Sequence, residues 1–195
     1  GRKNTYHCFF VLGAILYSSI PYFALQASAE PSTVIYFAGF SVATMIIFTM
    51  YGGGFATIPA YLADIFGTMH VGGIHGRLLT AWSTAGVLGP LTITELRNFS
   101  LGNAIDDLVS KIDPQAFLEK FGAPVEQLDQ LVAAKTVTIA RLMEIVPEGT
   151  IDPTPSIYNT TMYAMAGLLV IAFFANLLMK PVDKSHHFTG DPSKQ

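Results

Sequence analysis

Four long apolar runs, separated by short polar stretches, dominate the hydrophobic pattern of this chain. Each run lacks Asp, Glu, Lys and Arg, and together they cover residues 4–29, 31–63, 78–94 and 153–179. Each can hold the roughly 17 to 25 apolar residues that a membrane-spanning helix needs. The pattern predicts spans at about 8–26, 33–61, 78–94 and 157–179, with a kink or an early stop at Pro21 in the first.

Small residues are concentrated in the second and third runs, which form a predicted helical hairpin at 51–90. Gly52, Ala56 and Ala60 recur every four residues, so they share one helix face on which another helix can pack closely. Gly86 and Gly89 indicate similar packing in the third run. The glycines at 52–54 also mark a place where the long second helix can bend, because it exceeds the bilayer thickness.

Residues 100–155 have a different composition, in which acidic residues outnumber lysines and arginines. Asp113 and Pro114 form a helix N-terminus signal, and Gly122 is placed to end that helix before Pro124 begins another. We expect a small helical insert that lies on the membrane surface or covers a cavity mouth. It is interpreted either as an amphipathic segment without a function of its own or as a module that has one.

Composition supports a membrane protein and narrows the possible chemistry. The chain of 195 residues is 51% hydrophobic and 13% charged, about half the charged fraction of a usual soluble domain. Its net charge of -3 and lack of a basic patch argue against nucleic-acid binding. Cys8 is the single cysteine and is predicted to be a small packing residue. His70 and His75 lack partners at metal-ligand spacing, so no metal and no cofactor is predicted.

The distribution of basic residues predicts the orientation. With four spans, the lysines and arginines near the first, second and last span ends fall on one side, which the positive-inside tendency makes cytoplasmic. The domain organisation is then a three-helix part at 1–99, an extracytoplasmic acidic insert at 100–155, a last span at 156–180 and a cytoplasmic tail at 181–195. The sequence thus predicts an all-α, multi-pass integral membrane protein in the lipid bilayer.

The hairpin also carries the candidate polar groups. Asp64 and Arg77 flank its loop, and they are predicted either to form a salt bridge or helix cap, or to act as a gating latch. Trp82, the only tryptophan, is either an interfacial anchor or part of a substrate cavity. In the second case it would face the cavity together with Thr80, Thr84 and the aromatics Tyr51 and Phe55 of the preceding span.

Two segments resemble a known transporter family. GRKNT followed by a spanning helix is similar to the end of the cytoplasmic motif between helices eight and nine of the major facilitator superfamily. YGGGFATIPAYLADIFGT and IHGRLLTAWSTAGVLGP resemble helices ten and eleven of its oxalate/formate antiporter family, which is monocarboxylate-porter-like. The resemblance implies four transmembrane helices of a major facilitator fold, nine to twelve, preceded by the N-terminal helices of the same transporter. Arg2 would belong to the cytoplasmic loop motif.

The resemblance also implies secondary active transport of small organic anions, such as formate, oxalate or another monocarboxylate, by alternating access. It aligns the two substrate aromatics of helix ten with Tyr51 and Phe55. The lysine position of helix eleven falls on Trp82. Because a buried dianion without that cation is strongly disfavoured, we expect a monocarboxylate, moved with a coupling proton or by exchange. The alternative from another class is a non-transporting membrane assembly or sensor component whose insert binds a partner. No arrangement for intramembrane catalysis is recognisable, so an enzyme is not expected.

Overall fold

The structure is a computed structural model that describes residues 1–30 and 32–183. Its described residues form helices and connecting turns without a β-strand. Seven α-helices occur in the order α1 (Arg2–Ala29), α2 (Val34–Phe66), α3 (Val71–Val109), α4 (Pro114–Phe121), α5 (Leu128–Ala133), α6 (Ile139–Leu142) and α7 (Asn159–Leu178). Short 3₁₀ helices lie at Val125–Gln127 and Thr154–Ser156. The predicted cytoplasmic tail at 181–195 lies outside the described residues from position 184 onward.

Among the residues that the structure describes, three helical stretches are long and apolar enough to cross a membrane. They are Arg2–Ala29, Val34–Phe66 and Thr154–Leu178. Helix α1 continues through Pro21 to Ala29, so the predicted early stop is wrong. Helix α3 is not among these three stretches.

The chain divides into two compact units. The first contains Gly1–Thr92 together with Met162–Gln195, and the second contains Ile93–Thr161. The second unit contains most of the segment predicted as an insert at 100–155 and also the end of the preceding helix. Helix α3 contributes to both units, because the helix that was predicted to end near 94 continues to Val109.

Helices α1 and α2 form the closest pair in the first unit, and they run antiparallel. A Cβ atom at Gly39 of α2 would lie 2.7 Å from the Phe23 ring of α1. A Cβ at Gly13 of α1 would lie 2.9 Å from Leu169 of α7. Glycine is therefore what permits these side chains to approach the helix backbones so closely.

The predicted small-residue face is not where this close packing occurs. No atom lies within 4 Å of a Cβ built at Gly52, Gly86 or Gly89, apart from atoms of the local chain. Ala56 is exposed, and Ala60 is half-buried. Repeats of small residues do not specify which face meets a neighbour, and the close approaches in this structure occur at Gly13 and Gly39. The packing role of the residues at 52, 56, 60, 86 and 89 stays a prediction. Cys8 is likewise exposed, not packed.

A tight turn joins α2 to α3. Gly67 adopts a φ of 80°, which favours glycine, and its N–H donates to the Ala63 carbonyl 3.0 Å away. Helix α3 begins at Val71, so only residues 67–70 form the turn. His75 and Arg77 belong to α3 and not to the turn.

The second unit has its own hydrophobic core. Buried residues come from the end of α3, from α4, from α6 and from the connecting segments, and they include Leu108, Phe117 and Leu142, each at most 1% exposed. As predicted, Asp113 caps α4 by accepting a hydrogen bond from the Gln115 N–H, and Gly122 ends it in a left-handed conformation. The second unit therefore contains a hydrophobic cluster with fully buried side chains.

Salt bridges stabilise the surface of the second unit. Lys120 of α4 pairs with Glu144, which follows α6, and Lys111 pairs with Asp107 at 2.6 Å. The hydrogen bond and positive charge of Lys120 lower the pKa of the Glu144 carboxyl below its usual value. Both members of each pair keep solvent access, so their contribution to stability is small.

Candidate functional site

Three aromatic side chains meet between α2 and α3. The Trp82 ring centroid lies 5.4 Å from that of Tyr51 and 5.2 Å from that of Phe55. Tyr51 and Phe55 are one helical turn apart on α2, so they present adjacent rings to α3. Each of the three remains about half exposed, at 61%, 46% and 47% for Tyr51, Phe55 and Trp82. The cluster therefore leaves substantial ring surface available to a ligand.

The three rings line a cavity of about 460 Å³. This volume is within the range of small-molecule sites, roughly 300 to 1,000 Å³. Helix α1 contributes a face that carries Tyr6, Phe9 and Tyr17. Helix α7 contributes Leu169. No Asp, Glu, Lys or Arg is among the residues that line this cavity, so its surface is apolar and aromatic apart from tyrosine hydroxyls and one imidazole.

The imidazole belongs to His75, which lies two turns before Trp82 on the same face of α3. Its Nδ1 atom is shielded from solvent and has no hydrogen-bond partner. In a neutral imidazole one nitrogen donates and the other accepts. Keeping the proton on Nε2 avoids an unsatisfied N–H at the shielded position. His75 therefore brings to the cavity lining a shielded nitrogen without a hydrogen-bond partner.

The tyrosine hydroxyls differ in their availability. Tyr6 donates its hydroxyl to the Gly54 carbonyl at 2.5 Å, and its ring stacks on that of Tyr61. This bond ties α1 to α2 next to Phe55. Tyr6 therefore lines the cavity, but its hydroxyl already donates its hydrogen to the protein.

Thr80 and Thr84 do not line the cavity. Thr80 donates its hydroxyl to the Arg77 carbonyl at 2.6 Å, and Thr84 donates to the Thr80 carbonyl at 2.9 Å. Both hydroxyls satisfy the backbone of their own helix and lie on an exposed face. Their predicted role beside Trp82 in a substrate site stays a prediction.

Asp64 pairs with Arg2 and not with Arg77. The Arg2 Nη1 atom lies 2.5 Å from the Asp64 Oδ1 atom, and it also contacts the Ala60 carbonyl at 3.4 Å. Arg77 lies instead beside a separate surface hollow that includes Phe66 and His70. The partner of Asp64 is 62 residues away in sequence, so spacing within the hairpin could not identify it.

Further polar contacts gather at this end of the first unit. Lys3 donates its ammonium to the Leu177 and Met179 carbonyls, at 3.0 and 2.7 Å, where it complements the C-terminus of α7. The buried Asn176 accepts from the Tyr61 hydroxyl at 2.6 Å and donates to the Lys3 carbonyl at 3.2 Å. These contacts hold α1, α2 and α7 together at one end of the first unit.

A second unpartnered imidazole lies between α1 and α7. The Nε2 atom of His7 is shielded without a hydrogen-bond partner, and its ring lies 5.1 Å from that of Phe173. Neither His7 nor His75 was selected from the sequence as a functional residue. A scan for histidine within apolar runs, and not only for Asp, Glu, Lys and Arg, would have found His7.

Searches of the chain against protein-family models, curated proteins and solved structures returned no match.

Proposed function

We propose that this chain forms part of a secondary active transporter that moves small organic anions across a membrane by alternating access. The observation that carries the proposal is the aromatic cavity, in which Tyr51, Phe55 and Trp82 meet beside the imidazole of His75. A solute site in a transporter lies near the bilayer midplane between helices. The cavity described above likewise lies between helices, because α1, α2, α3 and α7 of the apolar first unit all contribute to its lining.

The polar contacts at one end of the first unit support the gating part of the proposal. The Arg2–Asp64 ion pair is about half exposed on both sides, so it can open without leaving a charge fully buried. Alternating access requires contacts at each end that form in one state and break in the other. Arg2 and Asp64 are the candidate gate. Arg77, which has no ion pair among the described residues, is available as an alternative partner for Asp64.

We further propose that the part of α3 at 78–94 is a fourth span, although α3 is not among the three stretches identified above. It lacks Asp, Glu, Lys and Arg, and its apolar residues Val87, Leu88 and Leu91 are more than half exposed. Lipid or other helices of the same transporter would cover them. The protein is then multi-pass, in a bacterial plasma membrane, with the second unit outside the cell.

Uptake by proteoliposomes tests the transport function. Vesicles that contain the complete transporter should accumulate labelled carboxylates from a panel of formate, acetate, benzoate and oxalate, with monocarboxylates preferred. The 195-residue chain alone should give no uptake, because it lacks the helices that would close the opposite side. Absence of uptake across the panel by the complete transporter would exclude this function.

Cysteine labelling tests the orientation. Cys8 is replaced by serine, and single cysteines are introduced at exposed positions of the second unit, such as Glu119 and Asp129. A membrane-impermeant maleimide should label them from outside in intact cells. Labelling only after the cytoplasmic side is exposed would reverse the topology.

One observation favours a second candidate, a membrane assembly or sensor component. The second unit has a core of its own and an acidic surface, as expected for a module that recognises a partner. Deleting or replacing that surface would then remove partner binding while leaving carboxylate uptake absent in every variant. Uptake that persists after these surface changes favours the transporter.

A further inference from the structure

The surface hollow beside Arg77, here called the turn hollow, lies where α2 turns into α3 and has a volume of about 530 Å³. It is lined by Phe66, Met69, His70, Gly73, Ile74, Arg77 and Val182. The segment after α7 is held against the end of α2, because the Val182 N–H donates to the Ile65 carbonyl at 3.0 Å. The apolar run at 31–63 ends just before the turn, and the run at 78–94 begins just after it. If these runs cross a bilayer, the turn hollow lies among the lipid headgroups.

One face of α3 forms a wall of the turn hollow. His70, Gly73, Ile74 and Arg77 recur at intervals of three and four residues, so they share one side of the first two turns. A Cβ atom built at Gly73 would meet no neighbouring atom within 4 Å, so the backbone is uncovered there. The helix begins at this wall, since the Ile74 N–H donates to the His70 carbonyl at 3.0 Å, and a helix N-terminus carries a partial positive charge. The wall is therefore open and electropositive.

Arg77 is the permanently charged residue of the turn hollow. Among the described residues its guanidinium takes part in no ion pair, whereas Arg2 pairs with Asp64 and Lys3 contacts the C-terminus of α7. No Asp or Glu is among the described residues that line the hollow. A guanidinium can donate two parallel hydrogen bonds to a phosphate group. Arg77 is thus a cation placed to bind a phosphate from outside the described chain.

We infer that the turn hollow binds an anionic phospholipid of the surrounding bilayer. The lipid phosphate accepts hydrogen bonds from Arg77, and the glycerol and upper acyl atoms cover Phe66, Met69 and Val182. The inference goes beyond the proposed function, because it requires only that the apolar helices cross a bilayer and holds whether or not the protein transports a solute.

The mixed lining favours a lipid over a soluble anion. Met69 and Val182 lie outside the apolar runs, yet they are 39% and 37% exposed and border the same hollow as Arg77. A free phosphate would pair with the guanidinium and leave these apolar side chains wet, whereas a phospholipid covers both kinds of surface. Basic pockets at the ends of spanning helices bind anionic headgroups in this way. A zwitterionic lipid carries the same phosphate, but its own ammonium lowers the attraction to Arg77.

Native mass spectrometry of the complete protein that contains this chain, purified in detergent, tests the inference by resolving each bound lipid. The probes are phosphatidylglycerol and phosphatidylcholine with the same acyl chains, and glycerol phosphate, which has a phosphate and no acyl chain. We expect phosphatidylglycerol to bind about tenfold more tightly than phosphatidylcholine, as for one additional charge-assisted contact. Glycerol phosphate should not displace it.

Two pairs of variants locate the lipid in the turn hollow. Arg77→Gln should weaken phosphatidylglycerol binding by about tenfold, and Arg77→Lys, which keeps the charge, should retain most of the affinity. Lys180→Gln is the matched control, because it removes an exposed cation from the same end of the unit outside the lining. Gly73→Leu fills the hollow without changing the charge and should also weaken binding. Its control is Gly72→Leu, at a neighbouring open position that does not line the hollow.

Equal binding of the two lipids, equal losses in Arg77→Gln and Lys180→Gln, or equal losses in Gly73→Leu and Gly72→Leu would each overturn the inference. Displacement of the lipid by glycerol phosphate would also overturn it and would assign the hollow to a soluble phosphate. Failure of this inference is distinguishable from failure of transport. Carboxylate uptake without phosphatidylglycerol binding refutes the lipid site alone, and lipid binding at Arg77 without uptake refutes transport alone.

Discussion

Trp82 provides the sharpest test of whether the aromatic cavity binds solute, because its two interpretations predict different losses. Truncation by Trp82→Ala removes the ring that contacts both Tyr51 and Phe55. A buried aromatic side chain contributes roughly 200 Å². With 47% of Trp82 exposed, about 90 Å² remains for a ligand to cover, by the same surface estimate.

Covering that surface at about 25 cal/mol per Å² contributes about 2 kcal/mol to ligand binding, or about thirtyfold in affinity. We therefore expect Trp82→Ala to weaken benzoate binding by up to about thirtyfold, measured by isothermal titration calorimetry because the fluorophore is lost. Trp82→Phe keeps an aromatic wall and should lose less than about tenfold. Val87→Ala, on an exposed part of the same helix, is the matched control and should leave affinity unchanged.

The interfacial-anchor interpretation predicts a different result. An anchor contributes to insertion and orientation in the bilayer, so its loss reduces the amount of protein in the membrane. Membrane abundance is measured by quantitative immunoblotting alongside affinity. Normal benzoate affinity with reduced abundance in Trp82→Ala would refute the assignment of this side chain to the binding cavity.

Three further predictions concern the two units. Phe117→Ala should destabilise the second unit by about 3 to 5 kcal/mol, since the side chain is fully buried, whereas the half-exposed Leu118→Ala should cost far less; urea unfolding followed by circular dichroism compares them. Gly39→Ala should lower the thermal midpoint relative to Gly52→Ala, because only the first places a methyl group against a ring of α1. The pKa of Glu144 is lower in the folded unit than its usual value, so its salt bridge stabilises the fold at pH values above those at which a free carboxyl titrates. That stabilisation is lost as the pH falls and the carboxyl is protonated. Glu144→Gln should therefore flatten the acid-side slope of unfolding free energy against pH, and an unchanged slope would refute that role.

Features encoded by neighbouring residues were accessible from the sequence. Asp113 followed by a proline, with Gly122 eight residues beyond that proline, predicts both ends of α4, because capping depends on local backbone groups. Tyr51 and Phe55 share a helix face for the same reason. Their contact with Trp82 follows once the two helices are antiparallel across a short turn.

Features that depend on distant partners were not accessible in this way. Asp64 has acceptable cationic partners both in its own hairpin and at Arg2, and only the packing of α1 against α2 selects the latter. Glycine spacing likewise identifies helix faces on which close packing is possible. It does not show that another helix approaches the backbone closely at Gly39 and not at Gly52.

The position of the charges within the first unit limits what its cavity can bind. At one end of the unit Arg2 of α1 pairs with Asp64 of α2, and Lys3 of α1 contacts the C-terminus of α7. Water can reach these groups. The cavity wall has no such pair, and its polar atoms are tyrosine hydroxyls and the His75 imidazole. A permanent charge in the wall would bind a carboxylate and also oppose its removal. A wall without one has no ionic group to desolvate when the site is empty, so an anion must bind there through hydrogen bonds and contacts with the rings.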